Sequence, residues 1–388
     1  MRCGALLSVL AATLAGCTSP APSLQRARSD CERVASGFGP PGTVPVRVET
    51  IASGLEVPWG IAFLPNGDAL VTERPGRVRF LHGGRIRPEP VTTMAVAEHG
   101  EGGLLGIAVH PRFSENRLFY VYVTVPGKGG AFNRVLRYRL GEGARGASVD
   151  RIIVDGIPAA PFHDGGRLRF GPDGMLYVGT GDGGVPERAQ APESLNGKLL
   201  RLTPDGDVPA DNPTRGSPVF LRGVRNTEGF DWLDARTLVL TDHGPSGELG
   251  RTGHDEVNIA RAGDDLGWPS IYGCQRAPGK ITPSLTWIEA VPPGGAAIYR
   301  GRAIPEWRGS LLIGTLRSEH LHRVVIDPRE PHRITRHEVY FQGNPPHGFG
   351  RLREVVMGPD GELYVTTSNC DGRGLCPPER DRILRITR

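Results

Sequence analysis

The chain has 388 residues, 38% hydrophobic and 23% charged, with 46 basic against 42 acidic side chains and a net charge of +4. That length and apolar fraction suit one large or two ordinary domains with a sizeable core. The near balance of charge argues against a nucleic-acid partner or an anionic-lipid surface.

The first 16 residues read as a secretory signal. Arg2 is a short charged start, residues 5–14 an apolar stretch, and Leu14-Ala15-Gly16-Cys17 the cleavage region. The apolar stretch is too short for a permanent membrane span. Leu-Ala-Gly-Cys resembles a bacterial lipobox, in which Cys17 becomes the lipidated first residue; a plain signal peptide cut elsewhere is the alternative. The expected location is outside the cytoplasm, lipid-anchored to a bacterial membrane. Thr18 stands where an Asp would favour the inner membrane, so the outer membrane is favoured. Residues 17–45, rich in Ser, Pro, Ala and Gly, are expected to form a flexible tether, and residues 46–388 the folded body.

Beyond Cys3 and Cys17, four cysteines remain: Cys31, Cys274, Cys370 and Cys376. An even number in an oxidising compartment suggests disulfides. Cys370 and Cys376 flank a short glycine-containing loop and are the favoured pair; Cys31–Cys274 follows by elimination. A four-cysteine zinc site competes, but no Cys-x2-Cys pair supports it.

Six stretches share one pattern: residues 61–73, 107–124, 168–182, 230–242, 304–316 and 355–369. Each reads as a short apolar strand, a turn and a second apolar strand. The third is the clearest, with Gly171-Pro172-Asp173-Gly174 between Leu168–Phe170 and an apolar run from Met175 to Val178. Pro presets φ, and Asp and Gly tolerate the angles a reversal needs. No long amphipathic helix is evident. Strand repeats at this spacing predict an all-β, six-bladed β-propeller, with a β-sandwich or two β domains as the alternative. Loops from different blades of a propeller meet at its central channel.

Several polar stretches could meet there. They include Glu101 before a Gly-rich strand start, His163-Asp164-Gly165-Gly166-Arg167, and Arg225-Asn226-Thr227-Glu228-Gly229. Asp242-His243-Gly244-Pro245, Asp255-Glu256, and the arginines Arg317, Arg351 and Arg353 complete the set. Arginines pair bidentately with carboxylates, so the set suits a polyanionic ligand. Asp242, Asp255 and Glu256 with nearby carbonyls would suit a hard cation such as calcium. A histidine beside them could act as a general base. Gly181-Asp182-Gly183-Gly184 reads as a turn; it lacks the helix of a phosphate loop and the βαβ setting of a dinucleotide fingerprint.

Together these stretches resemble the soluble pyrroloquinoline quinone (PQQ)-dependent aldose sugar dehydrogenases, the glucose/sorbosone dehydrogenase family. The resemblance covers about residues 47–388. It rests on an ordered series: Pro58-Trp59-Gly60, Gly103-Leu104-Leu105-Gly106, His163 before Gly166-Arg167-Leu168, Gly197-Lys198-Leu199-Leu200-Arg201, Arg225-Asn226, Gly244-Pro245, Gly267-Trp268-Pro269 and Arg351-Leu352-Arg353. It implies a six-bladed propeller that oxidises an aldose at its anomeric carbon to a lactone, with PQQ and Ca2+ as cofactors. His163 matches the catalytic base and Arg225 the residue that polarises the reacting quinone oxygen. Asn226, Arg317, Arg351 and Arg353 match cofactor contacts, and Gly244 and Pro245 the carbonyls that hold calcium. Glu101 falls near the substrate. An electron acceptor of unidentified nature is implied.

The chain differs from the family pattern in three places. Phe162, not Asp, precedes His163. Thr227-Glu228 replaces Pro-Gln. The link from Pro245 to Asp255 is longer than expected. A non-catalytic propeller lipoprotein that binds a sugar or a protein, and a calcium lactonase, are the competing readings.

Overall fold

The computed structural model describes Met1 and residues 31–388. The signal, the Cys17 lipid site and the first part of the expected tether lie outside the described residues.

Six sheets follow one another along the chain and close a ring, each contributing one blade. Blade 1 comprises Pro58–Phe63, Ala69–Glu73, Arg77–His82 and two short outer pieces, Arg85–Ile86 and Thr92–Thr93. Blade 2 comprises Leu104–Val109, Leu118–Val125, Phe132–Leu140 and Ala147–Pro158. Blade 3 comprises Leu168–Phe170, Leu176–Gly179, Lys198–Leu202 and Val219–Arg222. Blade 4 comprises Gly229–Trp232, Leu238–Asp242, Glu256–Ala260 and Leu285–Trp287. Blade 5 comprises Pro293–Ile298, Leu311–Thr315, Leu321–Ile326 and Ile334–Tyr340. Blade 6 joins both ends of the folded body: Leu352–Met357, Leu363–Thr367 and Asp381–Thr387 are completed by the early strand Arg47–Leu55.

Sequence explains the hairpins. In blade 3 Gly171 N–H donates to the Met175 carbonyl at 2.9 Å, Gly174 sits at φ +75°, and Asp173 Oδ1 accepts from Met175 N–H at 3.1 Å. Blade 6 repeats this chemistry with Gly358, Asp360 and Gly361, as the repeat pattern predicts. Only glycine takes the positive φ of the turn without strain.

The apolar strands bury their faces between neighbouring blades, because a sheet with one apolar face must cover it. Six clusters result, one per interface, so the core is a ring of layers. Leu70 and Val78 meet Phe119 and Val121 between blades 1 and 2, for example, and Ile61 and Val71 meet Tyr364 and Ile383 across the closure. Near the axis, Arg167, just before the inner strand of blade 3, is buried against Glu354 of blade 6, donates to the Glu228 carbonyl at 2.6 Å and lies 4.5 Å from the Trp59 ring centroid. These groups form a polar plug in the channel.

Two expectations are corrected. The fifth repeat is displaced: Pro305–Trp307 is a 3-10 turn, and the inner strand of blade 5 is Pro293–Ile298. Gly294 and Gly295 pack against the Arg353 backbone, an approach that carries no apolar pattern to read. The tether expected over 17–45 is not free along residues 31–45. Glu32–Val34 adds a parallel strand to blade 4, Phe38 stacks on His320 at 5.3 Å, and its carbonyl accepts from Trp287 Nε1 at 3.0 Å. The Cys31–Cys274 disulfide fixes this arm, and Cys370–Cys376 closes the second loop, so both expected pairs form. Among the described residues the single α-helix is Phe113–Asn116, and no helix is long and apolar enough to cross a membrane.

Candidate active site

Loops at one end of the channel enclose a cavity of ≈ 710 Å³, lined by residues from blades 2 to 6 and their connections. That volume lies in the range of small-molecule sites. Glu101, His163, Arg225, Arg317, Arg351 and Arg353 all line it, so the structure brings together six residues that the sequence singled out. Asn226, Gly244 and Pro245 do not line it.

His163 lies in the loop that enters blade 3 at φ +64°, in the left-handed region, where a side chain is strained unless its surroundings hold it. They do. Its N–H donates to Glu101 Oε2 at 2.9 Å, and its carbonyl accepts from Gly183 N–H at 3.2 Å. A Cβ on Gly181 would fall 2.0 Å from that carbonyl, so only glycine fits there. The ring Nδ1 lies 2.7 Å from Asp182 Oδ1. Asp182 is fully buried and also accepts from Gly184 N–H at 2.8 Å and from Trp268 Nε1 at 2.9 Å. A carboxylate on Nδ1 fixes the tautomer with the proton on Nδ1 and leaves Nε2 as the acceptor.

The partner of His163 is therefore Asp182, from the Gly-Asp-Gly-Gly stretch read only as a turn. Asp164, next in sequence, points elsewhere: its Oδ1 accepts from Asn133 Nδ2 at 2.8 Å, and burial pushes its carboxyl up to about 7. The signal for Asp182 was present, an acid between glycines at the end of a strand, but its distance from His163 is a property of the blade.

All but one of the cavity arginines arrive already paired. Arg225 contacts Glu248 through Nε and Nη2, and its guanidinium lies 5.6 Å from the Trp268 ring centroid. Arg351 donates to Asp371 Oδ2 at 3.0 and 2.8 Å. Arg353 donates to Glu228 Oε2 at 2.7 Å and Ser368 Oγ at 3.0 Å. Arg373 joins Glu101 Oε1 at 2.9 Å. Arg317, exposed on the cavity wall, makes no ion pair among the described residues. Burial works to raise the Asp371 carboxyl, but Arg353 and Arg351 hold it below the usual carboxylate range. Glu248, Asp371 and Arg373 were missed because their loops carry no regular pattern; the longer link after Pro245 was the one hint of Glu248.

Asn226 is fully buried below the cavity. Its Oδ1 accepts from Gly165 N–H at 2.9 Å and its Nδ2 lies 3.3 Å from His243 Nδ1, so it braces the His163 loop. The acids expected around a cation turn inward. Asp242 accepts from the Arg225 and Asn226 N–H groups at 2.8 and 2.7 Å, and Asp255 from Gly244 N–H at 2.9 Å and Val291 N–H at 2.6 Å. Glu256 accepts from Gly273 N–H at 2.6 Å and Asn258 Nδ2 at 3.1 Å. Among the described residues no group of three or more His, Cys, Asp or Glu is arranged to hold a metal. Burial, with Asp242 beside it, pushes Glu256 up to about 8. The Gly244 and Pro245 carbonyls accept no hydrogen bond among the described residues.

Comparison with known proteins matches residues 55–383 to the family model described as Glucose / Sorbosone dehydrogenase. An aldose sugar dehydrogenase of Escherichia coli K12 is 30% identical over 353 residues, 84% of this chain and 91% of that protein. An uncharacterised protein of Synechocystis is 34% identical over 84% of this chain and 85% of its own length. The PQQ-bound structure of an aldose sugar dehydrogenase from Streptomyces coelicolor superposes with a TM-score of 0.79 at 34% identity, covering 90% of this chain and 99% of that one.

Proposed function

The chain belongs to the glucose/sorbosone dehydrogenase family, and from that premise we propose that it oxidises aldose sugars at the anomeric carbon to lactones with PQQ and Ca2+. One observation carries the reading: His163, held by Asp182, faces the same cavity as Arg225, Arg317, Arg351 and Arg353. A general base and a cluster of cations around one cavity are what proton removal beside an anionic cofactor requires. The relatives named as aldose sugar dehydrogenases support the substrate class.

When bound, PQQ would accept the hydride released from the sugar's anomeric carbon. His163 Nε2 takes the proton of the anomeric hydroxyl, and Asp182 stabilises the imidazolium that results. Trp268 and Gly184 hold Asp182 in place. Arg225 supplies a fixed positive charge, and Arg317, Arg351 and Arg353 suit the carboxylates of a tricarboxylate ligand. The Gly244 and Pro245 carbonyls would take the calcium. Glu101 shapes the substrate end of the cavity while it holds the His163 loop. Residues 1–17 are proposed to direct lipid anchoring through Cys17 outside the cytoplasm; a Cys17→Ser chain that stays membrane-bound would refute this.

The pairing of Arg225, Arg351, Arg353 and Arg373 with internal acids favours a second reading, a propeller that binds a sugar or protein partner without turnover. Titration of the purified chain with PQQ, with and without Ca2+, separates the two. Calcium-dependent saturable binding, followed by aldose-driven reduction of an artificial acceptor, is expected. No binding at any calcium level sinks the dehydrogenase.

A further inference from the structure

Apart from Met1, five large hydrophobic residues are exposed among the described residues: Val149, Ile152, Phe162, Val185 and Leu375. Phe162 is the one that lines the cavity, and it is the only Phe, Tyr or Trp that does. The fold holds this ring in a definite place. Its centroid lies 4.9 Å from that of the His163 ring, tilted by 66°. On another side it rests on Gly184, where a Cβ would come within 2.9 Å of the ring. Wedged between the base and the glycine turn, Phe162 still keeps 48% of its surface exposed.

A held, half-exposed aromatic ring in a cavity lined with charges has a specific use. Its face matches the C–H face of a pyranose, while the polar walls match the hydroxyls. We propose that Phe162 is the sugar-stacking residue of this site. It receives the C–H face of a pyranose whose anomeric hydroxyl lies at His163. The proposal rests on the dehydrogenase reading for the position of the anomeric carbon.

The test uses the full chain loaded with PQQ and Ca2+, as wild type, Phe162→Ala, Phe162→Leu and Phe162→Tyr. KM and kcat are measured for glucose and galactose across pH. In parallel, saturation-transfer NMR reads methyl β-glucoside, which cannot be oxidised, on the cofactor-free protein. Phe162→Ala and Phe162→Leu are expected to raise KM for glucose and galactose about tenfold, with the pH profile of kcat unchanged, and to lose the NMR signal. Phe162→Tyr restores both KM and the NMR signal. Unchanged KM and NMR signal in Phe162→Ala overturn the proposal, as does a shifted pH profile at constant KM, which would make the ring a positioning group for His163. If the wild type oxidises no aldose, the dehydrogenase reading fails; if it does and KM ignores Phe162, the platform alone fails.

Discussion

His163 depends on residues that reach it from three blades. Glu101 holds its N–H, Asp182 its Nδ1, and Asn226 the N–H of Gly165 two residues on. Asp182→Asn keeps the size and the bond to Trp268 but no longer fixes the tautomer. It is expected to lower kcat by about 10²–10⁴-fold while PQQ affinity, read from quinone absorbance, stays unchanged. Glu248 is the internal competitor for Arg225. Glu248→Gln removes the negative charge there, so PQQ is expected to bind about tenfold more tightly in the same titration, and an unchanged affinity would show that Glu248 leaves the site at no cost. Glu256 sets a pH dependence. Its folded pKa of about 8 lies above the ordinary value of 4.5, so its contribution to stability is full below that value and is lost as pH rises through about 8. Asn258 Oδ1 has no partner among the described residues, so a glutamine amide can be satisfied there. Glu256→Gln should flatten the decline of Tm between pH 5 and 9 by a few degrees, measured by scanning calorimetry.

Two disulfides hold two separate elements. The loop from Cys370 to Cys376 carries both Asp371, which holds Arg351, and Arg373, which reaches Glu101. The Cys31–Cys274 bond pins the arm that adds Glu32–Val34 to blade 4. In a chain-entropy view, a bond spanning 243 residues constrains the unfolded state more than one spanning 6. The expected costs of removal are about 5 and about 2 kcal/mol. Urea unfolding of the Cys31→Ser/Cys274→Ser and Cys370→Ser/Cys376→Ser proteins measures both; PQQ binding should weaken only in the second. Elements with a repeating pattern were legible in the sequence. The Pro-Asp-Gly hairpins of blades 3 and 6 could be read because local turn chemistry fixes them. The inner strand of blade 5 could not, because Pro293-Gly294-Gly295 owes its extended form to the neighbouring Arg353 backbone. The arm over residues 31–45 was read as loose for the same reason: what orders it is a distant disulfide and a parallel strand.

At the scale of the whole molecule, six apolar layers between six blades make a ring with no separate centre. Six of the cavity-lining residues could be named from sequence because motif order survives along the chain, and a propeller converts that order into a circle of loops. Which acid would face which arginine could not be named, since those pairs form across the channel, as Arg353 with Glu228 does. The ring closes where Arg47–Leu55 pairs with Asp381–Thr387. Removing residues 381–388 opens blade 6 and is expected to abolish cooperative thermal unfolding followed by circular dichroism.

That closure also sets a clock. Arg47 is synthesised before the strands of blades 1 to 5, and its partner Thr387 after all of them. Each of blades 1 to 5 can find its neighbour while synthesis continues, but Arg47–Leu55 stays unpaired until Asp381–Thr387 has been made. Pairing over so long a separation is slow. The first strand must therefore stay unaggregated through the whole wait, and its composition suits that task. Arg47 and Glu49 place opposite charges on the waiting edge, which discourages another chain from docking there first.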